Sequence, residues 1–118
     1  MNSFELSQIK DQEDVILIDV RTKEEISSGY IKGHKSIFTE IMKGKNREIN
    51  INFNQELNKE LIKFNISSDI KLIFICAAGK RSEIALNSFK NETNLECINY
   101  IDGVNGWLKM GFNLSKVL

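Results

Sequence analysis

Two unbroken apolar runs constrain the fold of this chain more than any other feature. Residues 15–18 (Val-Ile-Leu-Ile) and 72–75 (Leu-Ile-Phe-Ile) each lack a polar face. Strands of this kind must be covered on both sides, which is typical of the central strands of a parallel sheet. Because stretches with helical spacing lie between the strand candidates, the sequence predicts an α/β fold with a mostly parallel central sheet and helices on both faces.

The remaining elements are predicted from caps, turns and periodicity. Thr22 and Glu25 form a capping box, so a helix begins there, and Gly29 keeps it short. The other expected elements, in chain order, are a helix capped by Ser3 with Leu6 facing inward, a strand at 36–38, a surface loop over 39–51, a helix from its cap Asn54 to Lys63, a helix begun by Ser82, a strand at 97–101 and a helix over 104–110 before Gly111.

Length and charge exclude several classes of protein. With 118 residues, we expect one domain over residues 1–118. The formal net charge is zero, so no overall field attracts nucleic acid or an anionic membrane. No apolar run is long enough to span a bilayer, and the first residues do not form a signal peptide. Two cysteines suggest no disulfide framework and favour a reducing compartment, so we expect a cytoplasmic protein.

The strongest functional signal follows the second apolar run, where Cys76 ends the predicted strand. Loop amides and a helix N-terminus favour a thiolate at such a place, and the cations Lys80 and Arg81 add to this effect. The sequence therefore predicts a nucleophilic cysteine, although a cysteine that closes an apolar strand can also be an inert core residue. The expected anion-binding loop consists of Ala77, Ala78, Gly79, Lys80, Arg81 and Ser82.

The other polar candidates favour structural interpretations. Asp19 and Arg21 follow the first apolar run, and we expect them to support the site rather than to catalyse. His34, the only histidine, is interpreted as a loop residue, and Cys97 as a buried strand residue rather than a resolving thiol. Lys43 and its neighbours Lys45 and Arg47 are expected in a solvated loop that could dock an acidic partner or an anionic donor. No metal site or cofactor is predicted.

Three stretches together resemble the rhodanese-like domain family in its single-domain form. They are Asp19-Val20-Arg21 with Glu25, Gly29 and Gly33 after it, the Cys-x-x-Gly-x-Arg-Ser run from Cys76, and Asp102-Gly103 followed by Trp107 and Gly111. The resemblance covers essentially the whole chain. It implies a three-layer α/β fold and a cysteine, here Cys76, that carries sulfur as a persulfide. It also implies that Trp107 is structural.

The chain departs from many members of that family at four positions. Ala77 stands where many relatives have arginine, which removes a cation and lowers the expected affinity for thiosulfate. Tyr30 replaces a histidine, His34 replaces an alanine, and Asp102 replaces the first of two glycines. We expect these three changes to concern local packing.

The resemblance implies a sulfurtransferase that moves sulfur from a small donor, thiosulfate or a persulfide, to a thiol or to cyanide. A protein could also be the donor or the acceptor. One alternative is a sulfur carrier or a regulatory protein-binding module without enzymatic activity. A cysteine phosphatase is less favoured, because its loop has five residues between cysteine and arginine, whereas four separate Cys76 from Arg81.

Overall fold

The computed structural model describes residues 1–117, and within them helices and parallel strands alternate along the chain. The strands are β1 (Val15–Asp19), β2 (Lys35–Phe38), β3 (Met42–Lys43), β4 (Glu48–Ile49), β5 (Lys71–Ile75) and β6 (Glu96–Asn99). The α-helices are α1 (Ser3–Ile9), α2 (Lys23–Ser27), α3 (Phe53–Leu61), α4 (Lys80–Phe89) and α5 (Gly103–Lys109), and a short 3₁₀ helix (Lys90–Glu92) follows α4. No helix in residues 1–117 is both long and apolar enough to cross a membrane.

The central sheet has four parallel strands in the order β2-β1-β5-β6, which confirms the predicted fold class. The chain leaves β1 toward β2 and later returns to the other side of β1 to form β5. This reversal creates a topological switch point at the carboxyl ends of β1 and β5, where α/β proteins generally bind ligands. Asp19 pairs with Ile75 at this edge, so the residues that follow both strands lie close together.

Alternate side chains of the two apolar runs enter two separate cores. Ile16, Ile18, Leu72 and Phe74 share one core with residues of α3 and α4, among them Leu57 and Phe89. On the opposite face lie Val15, Leu17, Ile73 and Ile75, with Leu6 from α1 and Trp107 from α5. The continuous apolar runs are therefore explained, because helices cover both faces of the sheet.

Local hydrogen bonding confirms some predicted boundaries and corrects others. The Thr22–Glu25 capping box is present, and Gly111 follows α5 with a φ of +84°. Asn2, not Ser3, caps α1, because the Asn2 side chain accepts from the Glu5 amide. Asn54 lies inside α3 instead of capping it, since the helix already begins at Phe53 with Asn52 at the cap position.

Three further boundaries differ from the prediction. Residues 39–51 are not a loop throughout, because β3 and β4 form a two-stranded antiparallel hairpin within them. Helix α4 begins at Lys80, two residues before Ser82. The last strand is Glu96–Asn99 instead of 97–101. The Tyr100 amide still donates to the Phe74 carbonyl, but the chain bends at Ile101, whose amide donates to the Met1 carbonyl.

Candidate active site

Cys76 lies immediately after β5, at the switch point of the sheet. The Val20 amide donates to the Ile75 carbonyl at 2.9 Å, so the segment that follows β1 is tied to the end of β5. The Cys76 side chain is on the same face of the sheet as α4 and is only 1% exposed. Residues 76–79, here called the Cys76 loop, then lead directly into α4.

The Cys76 sulfur is surrounded by hydrogen-bond donors. The Gly79 amide donates to Sγ at 3.1 Å, and the Ser82 hydroxyl lies 3.3 Å from it. Burial alone would raise the pKa of Cys76, but hydrogen bonds from the Ser82 hydroxyl and from the amides of Ser82, Ala78 and Gly79 outweigh it, so the pKa lies below its usual value. The arrangement therefore favours a thiolate and would also stabilise a negative charge just beyond it.

Two glycines allow the Cys76 loop to lie against the connection between β6 and α5. Gly79 has a φ of +91°, and a Cβ there would collide with the Ile101 carbonyl oxygen. Gly103 has a φ of +68°, and a Cβ there would collide with the Ala77 carbonyl oxygen. Both positions thus require glycine for two reasons, the left-handed backbone and the close approach of another peptide.

The two cations that follow the Cys76 loop differ in their surroundings, as expected for a brace at Arg81 and a solvent-facing side chain at Lys80. Lys80 is exposed at the start of α4. Arg81 is 9% exposed and pairs with both carboxylate oxygens of Glu25 in α2, at 2.7 and 2.8 Å. The hydrogen bond from Arg81 is the main reason why the pKa of Glu25 falls to about 2. Arg81 therefore braces α4 against α2. The hydrogen bond to Glu25 is the main cause of its raised pKa, and the charge of a Cys76 thiolate adds to it, so Arg81 and the thiolate attract each other.

Asp19 and Arg21 form a buried ion pair beside this brace. The Arg21 guanidinium donates to both Asp19 oxygens, with Nε to Oδ1 at 3.0 Å and Nη2 to Oδ2 at 2.9 Å, and the two residues are 5% and 4% exposed. Arg21 Nη2 also donates to the Gly29 carbonyl at 2.8 Å, which orders the chain after α2. Their hydrogen bonds are thus directed to each other and to backbone, as the structural interpretation predicts.

His34 and Cys97 lie away from the candidate nucleophile. His34 directly precedes β2, at the amino edge of the parallel sheet, whereas Cys76 follows the carboxyl edge of β5. Cys97 pairs with Leu72, four residues before Cys76, which puts the two cysteines roughly 13 Å apart along the strand direction. A disulfide between them is therefore excluded without a rearrangement of the sheet. Burial raises the pKa of Cys97, the opposite direction from Cys76.

The structure also contains a cavity that lies apart from the Cys76 loop. This cavity of about 560 Å³ is lined by residues of α2, α3 and the segment after β2, and no residue of the Cys76 loop contributes to it. Of its lysines, Lys43 pairs with Glu56 and Lys63 with Glu60. Two of its four lysines are thus paired. No cysteine is among the lining residues of this cavity, so nucleophilic chemistry is better supported at Cys76. Lys43, Lys45 and Arg47 are exposed, as expected for a solvated segment.

The structure brings to the site two residues that the sequence interpretation did not assign to it. Glu25 was identified as half of a capping box, but the same carboxylate also reaches Arg81. The sequence signal that could have placed Glu25 at the site is its position six residues after Asp19, close to the switch point. Asn99, at the end of β6, donates through Nδ2 to the Gly79 carbonyl at 3.1 Å, and no motif in the sequence indicates this contact. Among residues 1–117, no cluster of three or more histidine, cysteine or acidic side chains could hold a metal ion.

Comparisons with known proteins agree with this architecture. A family model described as the rhodanese-like domain matches residues 4–110. A rhodanese-related protein from Thermoplasma volcanium is 23% identical with a TM-score of 0.67, and the match covers 98% of this chain and 95% of that one. A protein from M. tuberculosis is 21% identical with a TM-score of 0.78, over 99% and 96% of the two chains.

A larger enzyme shares the same fold. The match to a thiosulfate sulfurtransferase from Pseudomonas aeruginosa has a TM-score of 0.75 and covers 98% of this chain but only 19% of the enzyme, at 9% identity. At these identities the likeness shows the fold alone. The comparison with curated proteins found no match.

Proposed function

Because the chain belongs to the rhodanese-like domain family, we propose that it is a sulfurtransferase that carries sulfur on Cys76. The family generally uses small sulfur donors and acceptors. The observation that carries the proposal is the position of Sγ at a strand end next to the start of α4, with the Gly79 amide at 3.1 Å and the Ser82 hydroxyl at 3.3 Å from it. Residues 1–118 would form a single domain of this type, and a reducing compartment such as the cytoplasm suits its two free thiols.

The proposed reaction has two displacement steps. The Cys76 thiolate attacks the outer sulfur of thiosulfate, the sulfur–sulfur bond of the donor breaks, and sulfite leaves with the bonding electron pair. A persulfide then remains on Cys76. An acceptor thiolate or cyanide attacks the outer sulfur of this persulfide, and the Cys76 thiolate is released unchanged.

The residues around Cys76 would divide the work as follows. The loop Ala77 to Ser82 would bind the anionic donor and then the outer sulfur, mainly through its amides and the N-terminus of α4. Lys80, exposed at the start of α4, would add positive charge where the donor approaches. The pairs Asp19–Arg21 and Glu25–Arg81 would support the site, because each fixes a segment that follows β1 or β5.

A second candidate is a sulfur carrier or regulatory binding module whose sulfur comes from a protein persulfide. It is favoured by the small positive charge at the site, since Ala77 contributes none and Arg81 is compensated by Glu25. A dianion such as thiosulfate would bind weakly there. A neutral or singly charged persulfide depends less on positive charge at the site, so its binding would be less weakened. Slow turnover of thiosulfate together with rapid loading from a protein persulfide would favour this function.

Phosphatase chemistry is less well supported. Cysteine phosphatases use a loop arginine to bind phosphate, and here both carboxylate oxygens of Glu25 occupy Arg81. In addition, four rather than five residues separate Cys76 from Arg81, which leaves less room for a phosphate tetrahedron.

Mass spectrometry of the intact protein tests the proposal. We expect thiosulfate or a small persulfide to add one sulfur atom to the protein, and cyanide to remove it and restore the starting mass. The matched pair Cys76→Ser and Cys97→Ser assigns the position, since only the first should prevent loading. Equal loss of loading in both variants, or phosphate release from an aryl phosphate that depends on Cys76, would contradict the assignment.

A further inference from the structure

Anchored carbonyl groups give the Cys76 loop its shape. Three of them accept hydrogen bonds from donors in residues 99–105, which comprise the end of β6, the connection and the first turn of α5. These bonds run from the Val104 amide to the Cys76 oxygen (2.9 Å), from the Asn105 amide to the Ala77 oxygen (3.0 Å) and from Asn99 Nδ2 to the Gly79 oxygen (3.1 Å). In a planar trans peptide, the C=O of one residue and the N–H of the next point in opposite directions. The held Ala77 carbonyl therefore turns the Ala78 amide to the opposite side, and this amide is one of the groups that lower the pKa of Cys76.

Gly79 is the residue of the loop that most needs an external restraint. It has no side chain, its φ is +91°, and glycine populates several backbone regions at little cost. Its amide must nevertheless stay 3.1 Å from the Cys76 sulfur. This amide belongs to the Ala78–Gly79 peptide, which lies between two anchored peptides. The Asn105 amide holds the Ala77 carbonyl on one side, and Asn99 holds the Gly79 carbonyl on the other. The orientation of one donor to the sulfur therefore depends on a side chain of a neighbouring strand.

The surroundings of the Asn99 amide agree with such a role. The Gly79 carbonyl can only accept, so the amide nitrogen of Asn99 must face it. The Asn99 Oδ1 atom is then buried without a hydrogen-bond partner in residues 1–117. An unpaired buried oxygen costs free energy. The side chain is therefore a poor choice for strand stability alone, and its favourable contact is the one to the loop.

We propose that Asn99 is a positioning residue for the Cys76 nucleophile, and that its bond to the Gly79 carbonyl keeps the Gly79 amide directed at the sulfur. The inference rests on the proposed function, in which Cys76 reacts as a thiolate. Asn99 itself contacts neither the Cys76 sulfur nor a sulfur donor. It acts by holding the Gly79–Lys80 peptide, which adjoins the peptide that carries the Gly79 amide. Without it, Gly79 can rotate its amide away, and the thiolate loses one of its donors.

The test replaces Asn99 by leucine, which has a similar size and no polar atoms, in a Cys97→Ser background that leaves one thiol. Thiolate absorbance and the rate of alkylation by iodoacetamide are measured against pH, together with thermal unfolding. We expect the titration midpoint of the Cys76 thiol to rise by about one pH unit. At pH values below this midpoint, the fraction of thiolate is then lowered about tenfold. Thermal stability should change little, because the substitution also removes the unpaired oxygen.

Asn50 provides a matched control. Its side chain is 7% exposed, and its Nδ2 donates to the Glu40 carbonyl at 2.9 Å, a similar bond in a part of the fold that does not touch the Cys76 loop. Asn50→Ala should lower stability and leave the Cys76 midpoint unchanged. If the leucine variant does not fold, the same measurements are made on Asn99→Ala. An unchanged midpoint in the folded Asn99 variant, or an equal rise in the Asn50 variant, overturns the inference.

The same preparations separate this inference from the proposed function. If the midpoint rises in the Asn99 variant but the unsubstituted protein accepts no sulfur from thiosulfate or a persulfide, the positioning role holds and the sulfurtransferase assignment fails. If the protein accepts sulfur but the midpoint does not move, the assignment holds and the positioning role fails.

Discussion

Replacing Glu25 by glutamine tests how strongly the Glu25–Arg81 pair joins α2 to α4. Glutamine keeps the size of the side chain and an oxygen that can still accept from the Thr22 amide, so the capping box is preserved. What it removes is the negative charge that both Arg81 nitrogens contact, at 2.7 and 2.8 Å. Arg81 then remains mostly buried without a compensating charge, which is costly.

The size of the effect follows from the pKa of Glu25. This pKa is about 2 instead of the ordinary 4.5, and the difference, at about 1.4 kcal/mol per pH unit, corresponds to roughly 3 kcal/mol of stability at neutral pH. The Glu25 side chain is 27% exposed, so solvent screening reduces this to about 2–3 kcal/mol. Since domains are typically stable by about 5–15 kcal/mol, the variant should still fold.

Urea denaturation at several pH values measures this difference. A lowered carboxyl pKa stabilises the fold fully above the unfolded-state pKa of about 4.5 and loses that contribution as the pH falls toward about 2. The difference in free energy of unfolding between the unsubstituted protein and the Glu25→Gln variant should therefore be constant above about pH 5 and become smaller below it. Glu60→Gln, which breaks the exposed pair with Lys63, should cost less than about 1 kcal/mol. The reasoning would be refuted if Glu25→Gln lowered the free energy of unfolding no more than Glu60→Gln does. It would also be refuted if the loss in Glu25→Gln did not depend on pH.

Three further predictions concern the Cys76 loop. Ser82→Ala should raise the pKa of Cys76, because it removes the hydroxyl 3.3 Å from Sγ; an unchanged pH profile of thiolate absorbance would count against this. Gly103→Ala should destabilise the fold more than Gly111→Ala, since both have a positive φ but only the first meets another backbone; equal denaturation midpoints would exclude the collision. Ala77→Arg should lower the KM for thiosulfate, with the gain eroded by salt; an unchanged KM at low salt would mean that position 77 does not face the donor.

The architecture is predictable from the sequence because few residues determine it. Short continuous apolar runs rich in β-branched residues favour strands covered on both faces, and β1 and β5 are predicted within a residue of their observed bounds. The Thr22–Glu25 box is equally local, because its partners are three residues apart. Cys76 is predicted to lie at a strand end next to a helix N-terminus, and the structure has it there.

The missed features depend on contacts between distant parts of the chain. Glu25 and Arg81 are 56 residues apart, so the sequence shows two cations near the sulfur but not the acid that compensates one of them. Asn99 reaches Gly79 only because β6 lies beside β5 in the sheet. The hairpin of β3 and β4 was missed because two-residue strands are too short to show periodicity.

The anchors of the Cys76 loop also have a consequence for the order of folding. During synthesis Cys76 leaves the ribosome before residues 99–105, which hold three carbonyls of its loop. Until residues 99–105 are in place, Gly79 leaves the loop free to move, and the Cys76 thiol keeps its ordinary pKa. The lowered pKa of Cys76 is therefore established only in the late steps of folding, and a nascent chain presents a thiol that is less ionised and less easily oxidised.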